Sequence, residues 1–188
     1  AAVGGAWFIF EPDAYDGRDA DYAAGTRARG DGRGLSDRGR FIPYWNRFSG
    51  SVLLEECVDY EPGPSSAYYQ EPLTTGKAVV TEPTTYEIAG KPTTVVSFSA
   101  PILVGGRVIG VAGVDVSMEA LKASVSGIKP LGSGYAFLVT DTGTFAAHPV
   151  ADVVGKTIGD VSSAENQAKV LGFYSKGTPY SEIRRAVA

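Results

Sequence analysis

The chain has 188 residues, of which 44% are hydrophobic and 20% are charged, enough apolar material for one domain or two small ones. Its formal net charge is −4 at pH 7, so it lacks the basic surface that nucleic-acid binding requires, and no nucleic-acid partner is expected. Its single cysteine excludes an intrachain disulfide and a metal cluster built on thiolates.

The first half of the chain predicts strands, loops and one aromatic segment. An apolar run over 6–10 is the first predicted strand, Glu11–Asp19 is an acidic, turn-rich loop, and an aromatic segment covers 40–47. The acidic loop lacks the Glu at the twelfth position of the EF-hand pattern, so no metal is expected there. A short strand or loop over 48–66 and a helical element beginning at Tyr68 follow.

Three consecutive strand-like segments, closed by a carboxylate, form the most informative stretch. They cover 84–88, 93–102 and 108–116, and Asp115 lies near the end of the last one. The turns between them contain glycine, which is typical of antiparallel hairpins. The last segment is apolar on both faces, which predicts a central strand, and a carboxylate there needs a partner. Asp115 is therefore either a ligand contact or a structural group ahead of the helix that Ser117 begins.

The two faces of the middle segment differ in character. The even-numbered face carries Val96 and Phe98 and predicts a core face, because side chains alternate along a strand. The odd-numbered face carries the hydroxyls of Ser97 and Ser99. These hydroxyls are either available to a ligand or exposed to solvent.

A second module is predicted after the helix over 118–126. Gly127 begins a connector, 135–147 predicts a hairpin, and 161–172 predicts a helix. We therefore expect two domains, 1–126 and 127–188, and we expect the second to be incomplete.

Enzymatic chemistry has little support in the sequence. His148 is the only histidine, and the proline after it predicts a structural or solvent-facing role at a strand end. No Ser or Cys nucleophile stands in a recognisable arrangement with a base. We expect no enzyme, no cofactor and no metal.

Several motifs, taken in order, resemble a known family. They are WFIFEPDAY at Trp7–Tyr15, GRFIPYWNR at Gly39–Arg47, TEP at Thr81–Pro83 and GVAGVD at Gly110–Asp115. Together they resemble the double Cache sensor domain of bacterial methyl-accepting chemotaxis proteins and sensor kinases. The resemblance implies an α+β fold of two stacked PAS-like (Cache) modules with antiparallel sheets, the membrane-distal one carrying the ligand pocket. It also implies a long helix before Ala1 and a truncated second module.

The resemblance also implies where a ligand binds, although the match is partial. Asp115 fits the anionic position, and Tyr44 and Trp45 fit the aromatic positions with their identities exchanged. Ile42 stands where relatives that bind amino acids have an Arg, which leaves Arg40 or Arg47 as the alternative guanidinium. The full set of expected ligand-binding residues is Arg40, Tyr44, Trp45, Tyr69, Thr84, Tyr86, Ser97, Ser99 and Asp115.

The expected function is small-molecule sensing by the extracytoplasmic, periplasmic part of a chemoreceptor or sensor kinase. The ligand is expected to be an amine or an amino acid, because an aromatic wall and a carboxylate suit an ammonium group. The parent chain is expected to be a membrane-anchored homodimer. The alternative is an interaction module that docks a periplasmic solute-binding protein.

Overall fold

The computed structural model describes residues 3–25, 34–140 and 143–161. The chain divides into two compact units, Ala1–Ser117 and Met118–Ala188. This division differs from the predicted one, 1–126 and 127–188, because the helix Met118–Ser126 packs against a strand of the second unit and belongs to it.

The first unit consists of strands and two short helices. Its strands are β1 (Val3–Phe10), β2 (Pro43–Asn46), β3 (Leu53–Glu56), β4 (Val79–Val80), β5 (Thr84–Ile88), β6 (Lys91–Val104) and β7 (Arg107–Ser117). The helices are α1 (Asp19–Ala23) and α2 (Ala67–Thr75). The three strands predicted around Asp115 are confirmed as β5, β6 and β7, each at or within a few residues of its predicted bounds.

These strands form one antiparallel sheet in the order β3-β2-β1-β7-β6-β4, and β5 also pairs with β6. β7 lies between β1 and β6, so the predicted central strand is confirmed. The predicted hairpins are confirmed as well: Ala89 and Gly90 turn β5 into β6, and Gly105 and Gly106 turn β6 into β7. All four turn residues have positive φ, a backbone that glycine adopts without steric cost.

The buried face of the sheet is not the one that the pattern predicted. α2 packs against β6 and β7 on the odd-numbered side, where Val95, Ser97 and Ser99 are buried. On the even-numbered side Phe98 is 42% exposed, although Val96 is buried. The number of apolar residues on each face therefore predicted the wrong face as the core. The face that is buried is the one on which α2 packs.

The second unit contains α3 (Met118–Ser126), β8 (Leu138–Val139), β9 (Phe145–Ala147) and α4 (Ile158–Val161), with short 3-10 turns at Pro130–Gly132 and Ala151–Val153. β8 pairs with β9, so the predicted hairpin is confirmed. The helix predicted over 161–172 lies, beyond Val161, outside the described residues. Among the helices that the structure describes, none has both the length and the hydropathy of a membrane-spanning segment.

Candidate ligand-binding site

A cavity of about 160 Å³ opens on the buried face of the sheet in the first unit. Cavities of this size in proteins hold molecules about as large as benzene. Strands β1, β2, β3, β5, β6 and β7 and the helix α2 all contribute to the lining. The lining residues are Trp7, Tyr44, Glu55, Glu56, Cys57, Val58, Tyr68, Tyr86, Glu87, Ile88, Ser97 and Asp115.

Asp115 is held in place by hydrogen bonds from two neighbouring strands. Trp7 Nε1 on β1 donates to Asp115 Oδ1 at 3.1 Å, and Ser97 Oγ on β6 donates to the same oxygen at 2.7 Å. Ser97 lies directly opposite Asp115 in the β6–β7 ladder. Among the hydrogen bonds of the described residues, none reaches Oδ2, so this oxygen retains its capacity to accept from a ligand.

The hydroxyl of Tyr44 is the second unused polar group of the cavity. It is buried and has no hydrogen-bond partner among the described residues. It lies near enough to the Asp115 carboxyl group to help lower its pKa, without reaching good hydrogen-bonding geometry. A buried hydroxyl without a partner costs free energy, and a polar ligand would relieve that cost.

Burial controls the charge of Asp115. Loss of hydration raises the pKa of its carboxyl group above the usual value, and the donors Ser97 and Trp7, together with the nearby Tyr44 hydroxyl, oppose this effect in part. A cation placed against the carboxylate would oppose the burial effect further. The site is thus organised to stabilise a negative charge that burial disfavours.

Two glycines make room for the aromatic walls. A Cβ at Gly113 would collide with the indole of Trp7, which lies opposite it across the β1–β7 ladder. A Cβ at Gly5 would collide with the ring and hydroxyl of Tyr44. Because both positions lack side chains, the two rings lie close over the sheet, and their polar atoms reach the neighbourhood of Asp115.

Two further tyrosines present their rings and use their hydroxyls elsewhere. Tyr68 on α2 donates to Val58 O at 2.5 Å, and Tyr86 on β5 donates to Ser65 O at 2.7 Å. Tyr68 also packs edge to face with Trp7 at 4.9 Å between ring centroids. These bonds fix the two rings in the cavity wall, and the face of an aromatic ring attracts a cation.

The described lining contains no Arg, Lys or His. It contains four acidic residues, of which Asp115 is buried, whereas Glu56 and Glu87 are exposed and Glu55 is half-buried. A positively charged ligand is therefore attracted to the cavity, whereas a ligand carboxylate has no cationic partner among these residues.

Four of the nine predicted site residues line this cavity: Tyr44, Tyr86, Ser97 and Asp115. Trp45 does not, because β1 pairs Trp7 with Tyr44, and the next residue of β2 then faces the other side of the sheet. Its ring contacts Phe8 there and is 38% exposed. Trp45 therefore lies outside this cavity, and its role in ligand binding stays a prediction.

Arg40 and Tyr69 form a separate cluster outside the cavity lining. Arg40 Nη2 donates to Phe10 O at 2.8 Å and to Tyr69 Oη at 2.9 Å. It also pairs with Glu11 at 3.3 Å, and Tyr69 donates to the same carboxylate. This buried network ties the end of β1 to α2. Arg40 therefore does not take the place of the missing guanidinium in the cavity.

The remaining two predicted residues also lie outside the lining. Thr84 donates its hydroxyl to Glu82 O at 3.1 Å. Ser99 lies on the same face as Ser97 and is buried, and its hydroxyl has no partner among the described residues. Arg47, the other candidate guanidinium, is exposed and donates to Val3 O at 2.8 Å.

Sequence reasoning missed Trp7, Tyr68, Cys57 and the three glutamates of the lining. The sequence carried no signal for the face of Trp7, because β1 is apolar on both faces, and only the structure shows that every second residue from Gly5 is buried. The others required knowledge of how α2, β3 and β5 approach the sheet. No cluster of three or more His, Cys, Asp or Glu side chains within the described ranges is placed to hold a metal.

Residues 2–123 match the family described as methyl-accepting chemotaxis protein-like, first PDC sensor domain. The methyl-accepting chemotaxis protein TlpQ of Pseudomonas aeruginosa is 30% identical over 168 residues, which are 82% of this chain and 23% of that protein. PctB of the same organism is 32% identical over 127 residues, which are 68% of this chain and 20% of that protein. The chain thus spans less than a quarter of the length of these relatives.

Solved structures resemble the fold over nearly the whole chain. The extracellular domain of a proposed histidine kinase, mmHK1S-Z2, matches with a TM-score of 0.72 at 37% identity, covering 92% of this chain and 60% of that one. A structure named methyl-accepting chemotaxis protein X matches with a TM-score of 0.68 at 33% identity, covering 94% and 61% of the two chains.

Proposed function

The chain belongs to the family of first PDC sensor domains of methyl-accepting chemotaxis protein-like receptors, and from that premise we propose that its first unit binds a small amine in the cavity at Asp115. The observation that carries the proposal is the buried Asp115 carboxyl group, which keeps one oxygen without a hydrogen bond beside aromatic walls. A charge-assisted hydrogen bond from an ammonium group would complete it.

An amine fits this cavity better than an α-amino acid does. The ammonium would bind Asp115, and its apolar body would lie against Trp7, Tyr68 and Tyr86. An α-carboxylate would enter a cavity whose described lining holds no cation, and Ile42 stands at the position where the family resemblance expects an Arg. The volume of about 160 Å³ limits the ligand to a small molecule.

The relatives are sensory proteins, and we propose that this chain is a non-catalytic sensor on the extracytoplasmic side of a membrane-anchored, homodimeric receptor. Ligand binding would then act by favouring one of two conformations of the receptor. The size of the signal is limited by the difference in ligand affinity between those two states.

A thermal-shift experiment with three matched compounds tests the proposal. Isopentylamine, leucine and 4-methylpentanoate share the same five branched carbons and carry an ammonium only, both charged groups, or a carboxylate only. A ligand that binds only the folded state raises the melting temperature, so the amine is expected to raise it most and the carboxylate not at all. A larger shift with the carboxylate would contradict the proposal, and a domain that only docks a solute-binding protein would respond to none of the three.

A further inference from the structure

One hydrogen bond joins the two ends of the large sheet across the cavity. β3 and β5 lie far apart in the sheet order, since β2, β1, β7 and β6 stand between them. Yet Glu55 Oε2 on β3 accepts the backbone N–H of Ala89, the residue that follows β5, at 3.3 Å. The sheet is therefore strongly curved, and the cavity lies within the curve.

Both partners of this bond are held in position by their own strands. Asn46 Nδ2 on β2 donates to the same Glu55 oxygen at 2.6 Å, which fixes the carboxylate. Ala89 and Gly90 have φ of 52° and 70° and form the two-residue turn between β5 and β6. In such a turn the first residue's N–H has no partner in the strand ladder, so it is available to Glu55.

We propose that this bond, the Glu55–Ala89 clasp, holds together two walls of the ligand cavity, which already has an open mouth, and that its opening widens the entrance for a ligand. Cys57 and Val58 follow Glu55 on one side of the cavity, and Tyr86 and Ile88 precede Ala89 on the other, so separating the clasp parts the two walls. Through its bond to Ala89, Glu55 holds in position the β5 residues that line the cavity, Tyr86 and Ile88. The inference depends on the proposed function at one point only, namely that the cavity binds a ligand.

The clasp is a weaker polar link than the two tyrosine hydrogen bonds beside the cavity. Its N···O distance of 3.3 Å is long for a hydrogen bond. The links from Tyr68 to Val58 O and from Tyr86 to Ser65 O measure 2.5 Å and 2.7 Å. Local opening follows the least stable contacts, so the walls separate at the clasp before α2 or β5 detaches.

Cys57 provides a built-in reporter of this opening. It lines the cavity, it is 6% exposed, and it is the one cysteine of the chain. Its alkylation by iodoacetamide, followed by mass spectrometry without any ligand, therefore measures how often the cavity opens. Glu55→Ala removes the acceptor of the clasp and is expected to speed alkylation tenfold or more.

Two matched variants test whether faster alkylation of Cys57 comes from loss of the clasp or from another cause. Glu55→Gln keeps a carbonyl oxygen for the Ala89 N–H and is expected to alkylate within about threefold of the parent rate, since tenfold corresponds to the loss of a whole contact. Burial and the nearby charges of Asp115 and Glu56 raise the pKa of the Cys57 thiol. Glu56→Gln therefore measures how far a change in thiol acidity alone speeds the reaction, and a rise smaller than that of Glu55→Ala is expected.

The urea dependence of the rate distinguishes local opening from global unfolding. Opening of the clasp exposes little surface, so the Glu55→Ala rate should change little at low urea, whereas global unfolding responds steeply. The proposal is overturned if Glu55→Ala reacts at the parent rate, if Glu55→Gln reacts as fast as Glu55→Ala, or if the faster rate follows global unfolding. Since no ligand is added, these outcomes are independent of whether amines bind.

Discussion

Asp115 is a buried acidic side chain, and its burial disfavours the charged form of the carboxyl group. The residue is 6% exposed, and its carboxyl group is held by hydrogen bonds from Trp7 and Ser97. Desolvation raises its pKa above the ordinary range despite these donors. The same desolvation strengthens any bond from the carboxylate to a cation, because little water competes for it.

The raised pKa predicts opposite effects of pH on stability and on binding. Without ligand, the folded protein binds the Asp115 proton more tightly than the unfolded chain does. The contribution of Asp115 to stability therefore rises as pH falls from the raised pKa toward the ordinary value. Affinity for an amine falls over the same window, because protonation removes the charge.

Melting temperatures of the parent and of Asp115→Asn, measured across this pH range, check the first effect. The difference between the two profiles isolates Asp115 from the other carboxyl groups. Profiles that stay parallel would show that Asp115 does not titrate as its burial implies.

Trp7 and Trp45 are the two tryptophans of the chain, and they make a matched pair. Trp7→Phe removes the Nε1 donor from Asp115 Oδ1, so the pKa of the carboxyl group should rise further and amine binding should weaken at neutral pH. Trp45→Phe alters the opposite face of the sheet and should leave affinity within about twofold, far below the tenfold that 1.4 kcal/mol represents. Titration of both variants with isopentylamine checks this, and equal effects would contradict the assignment of faces.

At the scale of strands, the site depends on close packing between a ring and the sheet. Gly113→Ala places a methyl group where the Trp7 indole lies over β7. Overpacking of this kind typically costs about 1–3 kcal/mol, so the free energy of unfolding in urea should fall by that amount. Gly63→Ala is the control, since a Cβ there meets only an ordinary contact, and it should change stability by less than about 0.5 kcal/mol. Equal changes in the two variants would contradict the packing account.

The strands around Asp115 were predictable because their signals are local. Alternation and glycine turns specify β5, β6 and β7, and the apolar run of β7 specifies its central position. The face of Trp45 was not predictable, since alternation gives two faces but not which one is covered. The place of Arg40 was not predictable either, because its partners Phe10, Glu11 and Tyr69 lie about 30 residues away on each side.

At the scale of the whole molecule, all residues that line the cavity belong to the first unit. His148 belongs to the second, where its Nδ1 accepts the Val150 N–H at 3.0 Å and its ring contacts Tyr135, Phe137 and Phe145. His148→Ala should therefore leave amine affinity within about twofold. A tenfold loss of amine affinity in a folded His148→Ala variant would contradict the assignment of the binding site to the first unit.

Calorimetric titration of isopentylamine into the parent and into Asp115→Asn tests the central claim most directly. The substitution preserves the shape of the side chain and removes its charge, and removal of one partner of a buried charge pair typically costs about 2–5 kcal/mol. We expect affinity to fall more than tenfold while the variant remains folded. Equal affinity in the two proteins, with binding abolished by Tyr44→Ala, would show that the cavity binds its ligand without using the charge of Asp115.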